Sequence, residues 1–175
     1  YAIRGFGKVT RAIVERYVAT QLNHHRMADP SVQTRLEQFQ IYNSDVDLSA
    51  AQKTSHGRFW FNLHLVLVHQ HRWFELRDEM LEKVRDMIVN CSRAKGYRLS
   101  RAGILPDHID VTVGCPIDDS PAEVALAFLN NLAFAHGMKP VFQSGAFVGT
   151  FGEYDGRAVL SETLPDGDKP RRGRK

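Results

Sequence analysis

The order of strand-like and helix-like segments between residues 58 and 151 leaves few folds open to this chain. Residues 58–70, RFWFNLHLVLVHQ, alternate apolar and mixed positions, which is typical of a strand with one buried face. The apolar positions of that face are Phe59, Phe61, Leu63, Leu65 and Leu67. Residues 75–96 then carry the period of a strongly amphipathic helix, which we expect to end at Gly96.

Two more strands and a second helix follow. Residues 97–105 and 108–115 have strand patterns and are joined by a tight turn at Pro106-Asp107. The second helix should begin at Ser120, because Pro121 suits the first helical position and Glu123 completes a capping box. AFVGTF, residues 146–151, predicts a final short strand.

The resulting order, β-α-β-β-α-β, predicts an α+β fold of the ferredoxin-like, split βαβ type with an antiparallel sheet. We assign this domain to residues 58–155. No internal repeat or low-complexity tract interrupts it.

A separate helix is predicted ahead of this domain, in a segment that spans residues 1–22. Thr10 is a suitable N-cap, and Tyr17 and Gln21 stand four positions apart, so we expect them on one helix face. The apolar positions are Ile13, Val14, Tyr17, Val18 and Leu22, and the basic ones are Arg4, Lys8, Arg11 and Arg16.

Residues 23–57 lack sustained periodicity, and we interpret them as a connector with one short helix at most. A connector of this length can cross a small domain, so the first helix need not pack beside its sequence neighbour. Residues 156–175 are predicted to be a flexible basic tail. The last eleven residues have five basic and two acidic side chains, a net +3 that equals the formal charge of the whole chain. The charge therefore supports only non-specific phosphate contacts by this tail.

Composition limits the compartment and the partners. Cys91 and Cys115 lie in apolar contexts without metal-ligand spacing, so a reducing, cytoplasmic location is expected. No apolar run reaches the length of a membrane span, so no membrane partner is expected.

A histidine and an aspartate in the strand HIDVTV are the first candidate site. His108 and Asp110 are two positions apart and leave the same face of the sheet. Together they could bind a divalent metal, and the carboxylate favours magnesium or manganese. A surface ion pair is the more common use of such a spacing.

Longer motifs point to a family. ILPDHIDVTVGCPIDDSPAEVALAFLNNLAFAHG resembles the segment of single-tyrosine HUH transposases, the insertion-sequence and REP-associated class, in which a Pro-Asp turn precedes a His-hydrophobic-His strand. FNLHLVLVHQHRW and FQSGAFVGTFGE are similar to the first strand and the final glycine-punctuated strand of that family. The match covers residues 58–153 in the same order.

The resemblance implies a circular permutation. In the family, a helix after the last strand carries a nucleophilic tyrosine and, one turn later, a metal-ligating glutamine. No such pair follows Gly152 here, whereas IRGFGKVTRAIVERYVATQ, residues 3–21, resembles the missing helix. By this resemblance Tyr17 is the nucleophile that forms a 5′-phosphotyrosine, and His108, Asp110 and Gln21 are the ligands of Mg²⁺ or Mn²⁺.

The family also implies the partners. Single-stranded or hairpin DNA is the expected substrate, with Arg11, Arg16, Arg72 and His64 as DNA-binding residues. A homodimer is expected, in which the tyrosine helix serves its own sheet or that of the other subunit.

Several alternatives remain. Asp110 stands where the family has its second histidine, and its negative charge near an anionic substrate favours a descendant that binds hairpins without cleaving them. A non-enzymatic interaction domain is the third hypothesis. Tyr154 is a rival nucleophile, and His24 and His25 either contact phosphate or metal or are solvated helix-end residues.

Overall fold

The computed structural model describes residues 2–4, 9–24, 29–139 and 141–152, with side chains from residue 9 onward. The side chains of Arg4 and Lys8, together with His25, Tyr154 and the predicted tail at 156–175, lie outside this part.

The described residues form five α-helices and eight strands. The helices are α1 Arg11–Ala19, α2 Gln21–His24, α3 Pro30–Glu37, α4 Asp78–Lys95 and α5 Pro121–Ala135. The strands are β1 Ala2–Arg4, β2 Ile41–Tyr42, β3 Gln52–Lys53, β4 Arg58–Trp60, β5 Asn62–Val68, β6 Arg98–Ile104, β7 His108–Gly114 and β8 Phe147–Phe151. No helix in the described ranges has the length and apolarity needed to cross a bilayer.

The main sheet has five strands in the order β2-β6-β7-β5-β8, and all its neighbours are antiparallel. Strands β5, β6, β7 and β8, with α4 after β5 and α5 after β7, form the predicted split βαβ arrangement. The predicted fold class is therefore confirmed. A small second sheet has the order β1-β4-β3.

The core lies between one face of the main sheet and the helices α4 and α5. Alternate residues of β5 are fully buried there, and the helices add apolar side chains at helical spacing. These residues include Leu63, Leu65 and Leu67 from β5, Leu81, Val84 and Ile88 from α4, and Val124, Phe128 and Leu132 from α5. The predicted helix termini are also present. Gly96, with a φ of 69°, ends α4, and Ser120 and Glu123 form the capping box at the start of α5.

The strand predicted for residues 58–70 is divided at Phe61. Its first part, β4, joins the small sheet, and its second part, β5, joins the main sheet. The Phe61 carbonyl accepts a hydrogen bond from the Cys115 amide at 2.7 Å, where the chain passes between the sheets. The alternating pattern continues through this point, so periodicity alone does not reveal the division.

The connector has more structure than predicted. Besides the short helix α3, capped by Asp29, it contributes β2 to the edge of the main sheet and β3 to the small sheet. Each of these strands has two residues, too few to produce a periodic pattern.

Candidate functional site

The candidate site lies on the face of the main sheet opposite the core. Directly paired residues in an antiparallel sheet point to the same face. His64 pairs with Thr112, and Asp110 pairs with both Val66 and Gly103, so His64 and Asp110 share a face. Helices α1 and α2 cover this face, whereas α4 and α5 cover the other.

A buried carboxylate holds α1 to the sheet. Glu15 accepts hydrogen bonds from Ser100 Oγ on β6 and from Arg11 Nη1, each at 3.0 Å. Arg101 Nη2 lies 3.9 Å from the same carboxylate. The pairing of β6 with β7 is irregular between Leu99 and Arg101, which allows Ser100 and Arg101 to turn toward α1 together. This role of Glu15 was not predicted; its one signal in the sequence is an acid between Val14 and Val18 in an otherwise basic segment.

The first turn of α1 lies beside the end of β8. Thr10 and Gly152 form a parallel bridge, and the Arg11 amide donates to the Gly152 carbonyl at 2.8 Å. Thus α1 precedes the sheet in the chain, yet it begins in space next to the residue that follows the last strand.

Tyr17 lies on the outer side of α1, near the polar face. Its side chain is 43% exposed, and its ring centre lies 6.1 Å from that of His64, edge to face. The His24 ring stacks on it from α2 at 5.9 Å. An open depression of about 520 Å³ adjoins it, lined by Ile13, Arg16, Tyr17, Thr20, Asn23 and His24.

Gln21 does not continue the helix that carries Tyr17. Helix α1 ends at Ala19, and Thr20, whose hydroxyl donates to the Arg16 carbonyl at 2.9 Å, separates it from α2. This break differs from the predicted single helix. Gln21 faces the sheet, at helical spacing from the buried Val14 and Val18, and is 1% exposed. A Cβ atom on Gly103 would meet Gln21 Cγ at 3.2 Å, so the Gln21 side chain lies over Gly103, the partner of Asp110.

His64, Asp110 and His108 form a continuous polar chain. His64 Nε2 lies 2.7 Å from Asp110 Oδ1, and His108 Nε2 lies 3.4 Å from Asp110 Oδ2. On its other side, His108 Nδ1 lies 2.7 Å from Asp107 Oδ1. All three members of the chain, His64, His108 and Asp110, therefore have fixed orientations.

The buried polar atoms of this region that have no hydrogen-bond partner include Asp110 Oδ2, Gln21 Oε1 and Gln21 Nε2. Unpartnered buried oxygens are the donors that a divalent cation would use, so His108, Asp110 and Gln21 fit such an ion chemically. Within the described ranges, no group of three or more His, Cys, Asp and Glu side chains is arranged to hold a metal. A three-residue metal set that includes His108 and Asp110 would therefore need a donor of another kind, such as the Gln21 amide oxygen.

The predicted DNA-binding residues occupy different positions. Arg16 is exposed beside Tyr17 at the depression, whereas Arg11 is turned toward Glu15 and Asp47. Arg72 follows β5 and lies 3.0 Å from Asp107, the carboxylate that contacts His108. His64 lies under Tyr17, within the polar chain. The fold thus brings Tyr17, Gln21, His64, His108 and Asp110 together and leaves Arg11 and Arg72 at the borders.

Comparisons with known proteins give the fold. No family model matches the chain, and no curated protein sequence matches it. Among solved structures, a "putative transposase" from Deinococcus radiodurans matches with a TM-score of 0.50 and 20% identity, over 63% of this chain and 94% of that one. A REP-associated tyrosine transposase bound to a REP hairpin matches with a TM-score of 0.47 and 14% identity, over 58% of this chain; the match spans 61% of that protein. The chain therefore has a transposase-like α+β fold.

Proposed function

We propose that the protein cleaves and rejoins single-stranded or hairpin DNA, with Tyr17 as the nucleophile. The observation that carries this proposal is the docking of α1 on the polar face of its own sheet. It sets the Tyr17 ring 6.1 Å from the ring of His64, which contacts Asp110. The transposase-like fold supports the same class of reaction.

The proposed step is a transesterification. The Tyr17 phenolic oxygen attacks a phosphorus atom of the DNA, and the bond from phosphorus to the 3′ oxygen breaks. The strand leaves with a 3′-hydroxyl that takes up a proton, and the phenol loses one. The 5′ phosphate remains on Tyr17, and attack by a 3′-hydroxyl reverses the reaction and reseals the strand.

The metal site is part of the proposal. His108, Asp110 and Gln21 would hold Mg²⁺ or Mn²⁺, and their unpartnered oxygens support this assignment. When bound, such an ion would polarise a phosphate and offset negative charge on its oxygens. Neighbouring residues would orient these three ligands. His64 holds Asp110, and Asp107 holds His108. Gly103, which has no side chain, leaves space for Gln21.

Phosphate contacts are proposed for the depression beside Tyr17. Arg16 and His24 line it, so a cation and an imidazole flank the nucleophile. Arg72, whose side chain is 56% exposed, lies at the Asp107 end of the polar chain and would contact phosphates farther along the strand. Arg11 is assigned mainly to the docking of α1 and not to DNA, because its guanidinium forms ion pairs with Glu15 and Asp47.

The circular permutation is supported by the neighbourhood of Thr10 and Gly152. A helix that followed β8 directly would begin in the same place as α1. We propose that the tyrosine helix acts on its own sheet, so the homodimer expected from the resemblance would not be needed to assemble one site.

A second candidate function is hairpin binding without cleavage. The Asp110 carboxylate favours it, because a negative charge next to His108 repels the phosphate that Tyr17 would attack. This candidate shares the DNA-binding surface with the first and differs only in the covalent step.

A covalent-capture experiment separates the two candidates. Labelled hairpin DNAs with unpaired flanks would be incubated with the protein and Mn²⁺ and resolved on a denaturing gel. Wild type and Tyr154→Phe should give a protein-linked band that Tyr17→Phe lacks. Loss of the band in Tyr154→Phe instead would transfer the role to Tyr154. Hairpin binding without any band would leave the non-cleaving candidate.

A further inference from the structure

A second cleft opens on the polar face, on the other side of α1 from Tyr17. Its volume is about 290 Å³, and its walls include Val18 and Ala19 from α1, Tyr42 from β2, and Arg101 from β6. Tyr17 and Ala19 are separated by about 200° around the helix, at 3.6 residues per turn. The helix therefore has Tyr17 on one flank and this cleft on the other.

The cleft contains an aromatic side chain held in place but open to solvent. Tyr42 is 66% exposed. It pairs directly with Arg101 across β2 and β6, and the Arg101 guanidinium carbon lies 4.5 Å from the centre of the Tyr42 ring. Because Arg101 also pairs with Thr112, the partner of His64, Tyr42 projects from the same face of the sheet as His64. One side of the ring is thus supported by a cation, and the ring remains accessible.

Gln40 also lines the cleft, and its side-chain amide is hydrogen-bonded to α3 and β6. The Gln40 amide nitrogen donates to the carbonyls of Leu36 and Ile104, each at 2.9 Å, and its oxygen accepts from the Ile104 amide at 3.0 Å. Gln40 therefore has no free donor for a ligand. The groups of the cleft that remain for recognition include the Tyr42 ring and the Arg101 guanidinium.

We propose that this cleft holds one unpaired nucleobase of the DNA, stacked on Tyr42, a few nucleotides from the phosphate at Tyr17. The inference rests on the proposed DNA-binding function. An exposed aromatic ring beside an arginine is how proteins hold single-stranded bases. The cleft lies just below the range of pockets for drug-sized ligands, so it suits a single planar ring system.

The distance also fits a single DNA strand. Strands β2 and β5 are separated by three inter-strand spacings, about 14 Å in total. Because α1 lies between Tyr17 and the cleft, a strand with its phosphate at Tyr17 and a base at Tyr42 would pass around this helix, and not over His108 and Asp110, which are 4% and 1% exposed.

An abasic scan tests the proposal. Hairpin DNAs would carry one abasic site at each unpaired position in turn, and their affinities would be measured at fixed salt for wild type, Tyr42→Ala and Tyr42→Phe. In wild type, one position should weaken binding by roughly 5- to 150-fold, the range for loss of one stacked base. Tyr42→Ala should remove this position-specific effect, and Tyr42→Phe should keep it.

Two further variants sharpen the test. Ala19→Trp should fill the cleft and remove the same position-specific effect. Phe134→Ala, at an exposed aromatic of α5 far in sequence from the cleft, should leave it intact. An equal response at all positions in wild type, or a uniform loss in Tyr42→Ala, would overturn the proposal.

Covalent capture with the same DNAs separates this inference from the proposed function. A Tyr17-dependent adduct without a Tyr42-dependent position would overturn the base cleft alone. A Tyr42-dependent position without an adduct would support the base cleft and overturn cleavage. Absence of binding to any DNA with unpaired bases would overturn both.

Discussion

His64 Nε2 on β5 and Asp110 Oδ1 on β7 are 2.7 Å apart, and the ring of Tyr17 stands edge-on to the same imidazole. This contact commits one carboxylate oxygen of Asp110 to His64. The other oxygen, Oδ2, has no hydrogen-bond partner and lies 3.4 Å from His108 Nε2. The orientation of Asp110 therefore depends on His64.

The first prediction concerns this orientation. In His64→Ala, Asp110 loses its partner, and we expect Mn²⁺ affinity and adduct formation to fall by roughly 10- to 100-fold, as for other residues that orient metal ligands. Titration of Mn²⁺ and the rate of adduct formation would measure the effect. His56→Ala, at an exposed histidine, is the control and should behave as wild type. Unchanged metal affinity in His64→Ala would contradict a positioning role.

The second prediction concerns the carboxylate that docks α1. Glu15→Ala removes the acceptor used by Ser100 Oγ and Arg11 Nη1, and we expect the free energy of unfolding to fall by about 2–3 kcal/mol. Urea denaturation would measure the loss, with Glu37→Ala on the exposed side of α3 as the matched control. Equal stability of the two variants would show that Glu15 does not hold the helix.

The third prediction uses the glycine under Gln21. The Cβ of Gly103→Ala would approach Gln21 Cγ to 3.2 Å and the Val18 carbonyl to 3.4 Å, so Gln21 must shift. We expect weaker Mn²⁺ binding and slower adduct formation, with a stability loss smaller than that of Glu15→Ala. Gly145→Ala is the control, because its Cβ would meet no atom within 4 Å. If both alanine variants bind Mn²⁺ like wild type, Gln21 is not a ligand.

The fourth prediction concerns pH and a pair of histidines outside the candidate site. Burial lowers the pKa of His69 and of His136, whose rings lie 6.3 Å apart near Trp73 and Phe142. The charged groups that face this pair are Glu75, Arg77 and Asp107. The unfolded chain therefore binds protons more readily than the folded chain does at these histidines.

The stabilising effect of the neutral imidazoles is complete above the ordinary histidine pKa of about 6.5 and declines as the pH falls below it. Urea midpoints at pH 7.5 and 5.5 should show this decline. His136→Phe should reduce the difference between the two midpoints, and His56→Gln should not. An undiminished difference in His136→Phe would exclude His136 as a source.

Much of the fold could be predicted because its signals are local. The capping box at Ser120, the left-handed Gly96 and the alternation of Leu63, Leu65 and Leu67 each act within a few residues of sequence. The division at Phe61 and the edge strand β2 could not be predicted, because each depends on hydrogen bonds to a distant segment. Phe61 is bonded to Cys115, and β2 is paired with β6.

The sequence by itself placed Tyr17 and Gln21 on one helical stripe and His108 and Asp110 on one face of a strand, and the resemblance to single-tyrosine transposases made them candidate site residues. Only the tertiary structure decided that they meet. The bridge from Thr10 to Gly152 and the hydrogen bond from Ser100 to Glu15 bring α1 over the sheet, and Gln21 is buried against it. Such contacts join residues far apart in sequence, and their formation depends on the packing of the whole domain, which no local pattern records.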